Sequence, residues 1–130
     1  MLRHGAGEEP NVEGTVKFAS FRLAGQEFAA MDSGYPHGFG FNEAISLVVH
    51  CDTQEEIDEY WSRLSADPAA EQCGWLKDRY GLSWQITPSD MDAMLASGDE
   101  AKIARVTKAF LKMKKFDIAK LRAAAEGVEE

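Results

Sequence analysis

The chain has 130 residues, of which 45% are hydrophobic and 28% charged, and its formal net charge is −8. This composition is typical of one globular domain and excludes a disordered chain. The acidic balance argues against nucleic acid and membrane surfaces as partners, and no apolar run could span a bilayer. Because two cysteines make no disulfide framework, we expect a cytoplasmic protein with reduced thiols.

The first third of the chain predicts a β-hairpin between irregular segments. Apolar and β-branched residues predict two strands, and Ala24 and Gly25 between them form a tight turn. Three glycines and a proline then indicate a linker. The predicted elements are a loop at 1–13, strands at 15–23 and 26–32, and a linker at 33–43.

The middle of the chain predicts a strand, a helix and two more strands. Valine, isoleucine and leucine dominate residues 44–51, which favours a buried strand. Thr53 followed by Glu56 forms a capping box, and apolar residues then recur at helical spacing. The remaining predicted elements are a strand at 71–78, a turn at 79–81 and a strand at 82–88.

The last third of the chain predicts three helices. Ser89, Ser97 and Asp117 each precede an apolar helical pattern and are expected to cap it. Eight basic residues and one acid lie between Lys102 and Arg122, so this segment carries a charge of +7. Two interpretations stay open: a solvated or body-facing side of amphipathic helices, or a basic arm that recognises a partner.

Strand alternation predicts one apolar and one polar sheet face. We expect the helix after Thr53 to cover the apolar face. Ser46, His50, Ser83 and Gln85 then share the half-polar face, which suits a small molecule. The ordinary pKa of histidine lies near neutrality, so His50 could serve as a metal ligand or general base. A purely structural histidine at a strand end is the alternative.

Three stretches of the chain carry a family resemblance. They are FNEAISLVVHCDTQEEIDEYW (41–61), QCGWLKDRYGLSWQITPS (72–89) and KMKKFDIAKL (112–121). Together they resemble the PhnB-like proteins, some of which carry the name 3-demethylubiquinone-9 3-methyltransferase. These proteins belong to the vicinal oxygen chelate superfamily, with glyoxalase I and the extradiol dioxygenases. The segment from Asp78 to Trp84 looks like that superfamily's turn motif.

The resemblance implies an α+β fold. In this superfamily, paired βαβββ modules curl into a cup, and here C-terminal helices follow. Within a single domain of residues 1–130, the segment 14–33 would end the first module, 44–88 would form the second, and 89–126 the helices. The first module would then be incomplete at its N-terminus. An incomplete module leaves an open sheet edge, so we expect a homodimer.

The resemblance also implies where a metal would bind. The superfamily uses His or Glu at strand positions that correspond here to residues 44–46 and to Gln85, while Glu27 lies near the matching strand of the first module. A neutral amide is a weak ligand for a divalent ion. We therefore expect no metal and no other cofactor. If a divalent metal does bind, its ligands would be His50, Gln85 and Glu27.

Three functions stay open from the sequence, and no catalytic residue can be assigned. The first is a glyoxalase-superfamily protein that binds a small molecule in the cup. The second is a divalent-metal-dependent lyase or dioxygenase-like enzyme, and the third is a structural or interaction module. Methyl transfer lacks support, because no glycine-rich turn with a ribose-binding acid is present. The pocket residues of the first hypothesis are Ser46, His50, Trp84, Gln85, Phe39 and Phe41.

Overall fold

The computed structural model describes residues 1–128 and divides the chain into two compact units, Met1–Phe39 and Gly40–Glu130. Each unit contains a three-stranded sheet, and the helices described all belong to the second. The expected α+β class with C-terminal helices is confirmed. A cup formed by paired modules stays a prediction.

Strands and helices follow one another along the chain. The strands are β1 (Leu2–Arg3), β2 (Val16–Leu23), β3 (Gln26–Met31), β4 (Ser46–Cys51), β5 (Trp75–Lys77) and β6 (Ser83–Pro88). The helices are α1 (Gln54–Leu64), α2 (Met91–Leu95), α3 (Glu100–Phe110) and α4 (Ile118–Glu126), with a 3₁₀ turn at Pro68–Ala70. None of these helices is long and apolar enough to cross a bilayer.

The first unit is an antiparallel sheet in the order β1-β2-β3. The predicted hairpin is confirmed, since Leu23 pairs with Gln26 across a two-residue turn. Ala24 and Gly25 both have positive φ, 48° and 80°. That backbone matches the twist of the strands on either side, which is why two-residue hairpins favour it.

The prediction that residues 1–13 form a loop is wrong for Leu2 and Arg3, which form strand β1. Strand β1 pairs with β2, and the His4 side chain that follows is only 7% exposed. The His4 Nδ1 lies 2.9 Å from Glu8 Oε2, and Lys17 Nζ lies 3.0 Å from Glu8 Oε1. A strand of two exposed residues has no periodic signal, so the sequence pattern missed it.

The sheet of the second unit has the order β4-β6-β5, with β4 parallel to β6 and β5 antiparallel to it. A parallel pair needs a crossover connection, and α1 begins that crossover. The predicted capping box is confirmed, because Thr53 Oγ1 accepts from the Glu56 N–H and Glu56 Oε2 accepts from the Thr53 N–H, both at 3.2 Å.

The predicted strand at 71–78 is shorter than expected. Cys73 and Gly74 have positive φ, 50° and 80°, so the extended chain begins only after them. Their N–H groups donate to the carbonyls of Met113 and Lys114, at 2.9 and 2.7 Å. This turn therefore bonds to the loop between α3 and α4 instead of extending β5.

The C-terminal helices are confirmed, although two of the three expected caps are wrong. Asp117 caps α4 as predicted, but α2 follows Asp90, which makes no side-chain cap, and not Ser89. Asp99 caps α3 in place of Ser97. The Ser97 hydroxyl instead accepts from the Asp99 N–H at 3.3 Å, which holds the turn that precedes the helix.

The apolar core lies in the second unit. Helix α1 covers one face of its sheet, as predicted, and its Ile57 is completely buried. Helices α2, α3 and α4 supply further buried residues of the same core. The buried hydrophobic residues are Cys51, Ile57, Leu76, Ile86, Met91, Met94, Val106, Phe116, Ile118 and Leu121.

Candidate functional site

The candidate site is the face of the second sheet that points away from the core. Residues in register on neighbouring strands share a face, so this face contains three rows of side chains. Across β4, β6 and β5 the rows are Ser46–Ser83–Lys77, Val48–Gln85–Trp75 and His50–Thr87. The opposite face carries residues such as Ile86 and Leu76, which are packed in the core.

Ser46 and Gln85 are brought together on this face, as the sequence predicted. The Gln85 Nε2 donates to the Ser46 Oγ at 2.9 Å. An amide has two donor hydrogens and an acceptor oxygen, so this single bond leaves Gln85 able to donate to and accept from a ligand. The half-exposed Val48 beside Gln85 adds an apolar contact.

His50 lies at the end of β4 on the same face, and it is exposed. Its Nδ1 lies 3.4 Å from the Thr87 Oγ1, and that hydroxyl also lies 3.4 Å from the Val49 carbonyl oxygen. Both distances are at the long limit of hydrogen bonding. No carboxylate within the described residues forms an ion pair with His50, so the ring lacks the orienting group that catalytic bases use.

Ser83 is the unusual member of the face. It is 1% exposed, and its Oγ has no hydrogen-bond partner among residues 1–128. Such buried, unpaired hydroxyls are rare in folded proteins. Its neighbour in register, Lys77, pairs with the Glu43 carboxylate, and the hydrogen bond from Lys77 lowers the pKa of Glu43.

The two tryptophans of the sheet lie on opposite faces. Trp84, a predicted pocket residue, packs against the core, and its Nε1 donates to Asp78 Oδ2 at 3.0 Å. Trp75 pairs in register with Gln85 and therefore shares the polar face. No sequence motif marks Trp75, which lies beside Gln85 through the antiparallel pairing of β5 with β6.

The other predicted site residues are not part of this face. Phe39 is 81% and Phe41 65% exposed, and the Phe39 ring lies 5.2 Å from the ring of His37. Glu27 is an exposed residue of β3 in the first unit, where it pairs in register with Arg22. Of the six predicted pocket residues, only Ser46, His50 and Gln85 thus lie on this face.

The donor set of the face does not fit a divalent metal site. Residues 1–128 contain no group of three or more His, Cys, Asp and Glu side chains that could hold an ion. His50 is one imidazole, and the Gln85 amide is already bonded to Ser46. Catalytic metal sites require about three protein ligands, mostly imidazole or carboxylate.

Cys51 adds no nucleophile to this region. Burial raises the pKa of its thiol, and the nearby carboxylates of Glu56 and Asp52 raise it further. A thiol with a raised pKa stays protonated near neutrality, and the protonated form is neither nucleophile nor metal ligand. Cys51 thus acts as a small apolar residue of the core.

Comparison with known proteins identifies the family. The sequence profile described as 3-demethylubiquinone-9 3-methyltransferase matches residues 2–87, two thirds of the chain. The chain belongs to this PhnB-like family. A solved PhnB protein from Bacillus cereus, titled a 3-demethylubiquinone-9 3-methyltransferase, is 41% identical over 67% of this chain and 74% of its own, with a TM-score of 0.54. A search of curated proteins finds no match.

This assignment confirms the resemblance and the glyoxalase-like fold class. The matched region ends at Thr87 and contains α1 and both sheets except Pro88, the last residue of β6. It therefore includes the whole polar face of the second sheet. Helices α2, α3 and α4 lie beyond it.

Proposed function

We propose that this PhnB-like protein binds a small organic molecule on the polar face of its second sheet, without a resident metal ion. The observation that carries the proposal is the hydrogen-bonded pair of Ser46 and Gln85, beside exposed Val48 and His50. Polar groups fixed by a rigid sheet and flanked by apolar contacts are what a small-molecule site needs.

The side chains of the face favour a neutral, partly aromatic ligand. Ser46 and Gln85 offer hydroxyl and amide groups that match a carbonyl or alcohol. Trp75 offers an aromatic surface on the same face, whereas the buried Ser83 hydroxyl is not accessible to a ligand. Lys77 is paired with Glu43, so it adds little net charge to attract an ion.

A metal-dependent lyase or dioxygenase is the weaker candidate. Its ligands would be His50, Gln85 and Glu27, which supply one imidazole, one amide and a carboxylate from the other compact unit. Methyl transfer, which the family description names, has no support in the chain either. The turn between β4 and α1 consists of Asp52 and Thr53, without the glycines that bring a backbone close to a nucleotide cofactor.

We also propose that the protein acts as a homodimer in the cytoplasm. Strand β3 is exposed along nearly its whole length, and Met31 at its end is 82% exposed. A sheet with uncovered apolar residues and a free edge is normally covered by another surface, here that of a second copy. Cys51 and Cys73 are unpaired, which fits a reducing compartment.

The binding proposal is tested with a fragment library of aromatic alcohols, amides and ketones, screened by saturation-transfer NMR on the full chain. Hits should shift the amide signals of Ser46, Val48 and Gln85. The Gln85→Leu variant should lose these hits, while Gln26→Leu, a matched change on exposed β3, should keep them. Hits that survive Gln85→Leu unchanged would exclude the polar face as the site.

Native mass spectrometry before and after chelator treatment tests the metal and dimer proposals together. We expect a dimer whose mass is unchanged by the chelator. A divalent ion bound at one per chain, and lost in His50→Ala but not in His37→Ala, would replace our proposal with the metal-dependent alternative. A monomer at micromolar concentration would refute the dimer.

A further inference from the structure

A groove between α3 and α4 lies outside the region that the family profile matches. Its volume is about 580 Å³, which falls within the range of small-molecule sites. It is independent of the polar sheet face, since it shares no residue with it. The floor of the groove consists of Ala109, Met113, Ala123 and Ala124.

Small side chains create this groove. Three of the four floor residues are alanines, on helices that pack against each other. Protein interiors are close-packed, so two helices that present methyl groups at facing positions leave a channel that leucines would fill. The sequence therefore encodes an apolar depression between α3 and α4.

The charged residues that line the groove within residues 1–128 are all cationic. They are Arg105, Lys108, Lys112 and Lys120, which form its rim. Arg105 is held in place, because its Nε and Nη2 each donate at 2.9 Å to a carbonyl near the end of α4. In a chain with a net charge of −8, this is a local concentration of positive charge.

Two of the other cations in the same basic segment are paired with carboxylates. Lys115 pairs with Asp58 at 2.6 Å and Arg122 with Asp90 at 3.0 Å. By contrast, the three lysines of the rim form no ion pair with any carboxylate in residues 1–128. Like charges along one groove repel each other, and an anion placed among them relieves that repulsion.

We propose that this groove binds a small amphiphilic anion. Its carboxylate or phosphate head would lie between Lys108, Lys112 and Lys120, and its apolar tail would lie on the alanine and methionine floor. The combination of floor and rim favours this class over a simple inorganic anion, which would gain nothing from the floor. It also favours it over a neutral hydrocarbon, which would gain nothing from the rim.

The test is a titration of the ¹⁵N-labelled full chain with decanoate, followed by NMR. Shifts should concentrate on the amides of Ala109, Met113, Ala123 and Ala124. Acetate has the same head without the tail, and decanol has the same tail without the charge. Acetate and decanol should each bind at least about tenfold more weakly than decanoate. Decyl phosphate in place of decanoate distinguishes the two head groups.

Two charge variants sharpen the test. The Lys108→Gln/Lys112→Gln variant removes two rim cations and should weaken decanoate binding about tenfold, more so at low salt. The matched control, Lys102→Gln/Lys114→Gln, removes the same charge from the same basic segment outside the groove and should bind as the unaltered chain does. Equal affinities of the two variants would overturn the proposal.

Filling the groove tests the floor without changing any charge. Ala124→Leu should abolish decanoate binding while the circular dichroism of the helices stays unchanged. Three further results would overturn the proposal: shifts confined to the polar sheet face around Ser46 and Gln85, decanol binding as tightly as decanoate, or a change of oligomeric state when the rim lysines are removed. The last would make the groove a protein interface.

Discussion

The two compact units both contain a three-stranded sheet, yet only the second surrounds an apolar core. Every buried hydrophobic residue that the structure describes belongs to the second unit. In the first unit the buried side chain is a polar one, His4. An apolar contact in this unit, the stack of Phe21 on Phe28 with ring centroids 5.8 Å apart, leaves Phe21 42% exposed.

This difference teaches that two similar sheets can depend on different forces. The second unit gains its stability from apolar area removed from water, which is large and insensitive to pH. The first unit depends on backbone pairing and on the polar contacts among His4, Glu8 and Lys17. Core substitutions should therefore damage the second unit most, and acid should damage the first.

The largest expected effect is that of a cavity in the core. Ile86 is completely buried among core residues, so Ile86→Ala should lower the free energy of unfolding by about 2–5 kcal/mol. Phe21→Ala in the first unit removes a larger but half-exposed side chain and should cost about 1 kcal/mol. Urea unfolding followed by circular dichroism measures both. Equal losses would contradict the contrast between the units.

Two glycines with the same backbone angle give the next largest effect. Gly74 and Gly25 both have φ of +80°, where any other residue is strained. A Cβ on Gly74 would also overlap the ring of buried Phe116, whereas a Cβ on Gly25 meets nothing. We expect Gly74→Ala to cost about 3 kcal/mol and Gly25→Ala about 1 kcal/mol. Thermal unfolding of both variants measures the difference, and similar melting temperatures would refute the packing argument.

A smaller effect is expected at the turn motif before β6. Asp78 Oδ1 accepts from the N–H groups of Tyr80 and Leu82, at 2.8 and 3.1 Å, while Oδ2 accepts from Trp84 Nε1. Asp78→Asn replaces one acceptor oxygen with a donor and should cost about 1–2 kcal/mol, with a changed tryptophan fluorescence.

The matched control for this turn lies in the first unit. The Asp32 carboxylate accepts from the neighbouring Ser33 N–H at 2.9 Å and is exposed. Asp32→Asn should therefore change the free energy of unfolding by less than about 0.5 kcal/mol. If both substitutions had the same effect, the bond to the Trp84 indole would contribute nothing measurable.

The sequence predicts the elements of this molecule well wherever the signal is local. The hairpin turn at Ala24 and Gly25, the capping box at Thr53 and the cap at Asp117 each depend on residues a few positions apart, and all three are confirmed. The cap predicted at Ser97 is wrong because Asp99 caps α3 instead, and the cap predicted at Ser89 is wrong because α2 follows Asp90 without a side-chain cap. A local sequence pattern does not determine which of two neighbouring polar residues occupies the N-cap position.

The site is harder to predict because it depends on strand register. Alternation placed Ser46 and Gln85 on one face, and their hydrogen bond supports that. Trp75 was missed because its place beside Gln85 follows from the pairing of β5 with β6, which are separated by a turn. The buried, unpaired hydroxyl of Ser83 and the pair of Lys77 with Glu43 likewise arise from contacts that no short motif encodes.

The smallest effect we predict is the response of the first unit to acid. Hydrogen bonds from His4 and Lys17 lower the pKa of Glu8 from its ordinary value of 4.5. A carboxyl whose pKa is lowered by folding stabilises the fold above its unfolded-state pKa, and this contribution is lost as the pH falls through the folded-state pKa. The His4 N–H, bonded to the Thr15 carbonyl oxygen at 2.9 Å, should therefore lose protection from hydrogen exchange below pH 4.5, after correction for intrinsic rates. Glu8→Gln should remove this pH dependence, while amides of the core strand β6 should stay protected in both proteins. If the loss of protection at His4 were identical in Glu8→Gln, the carboxylate of Glu8 would not be its cause.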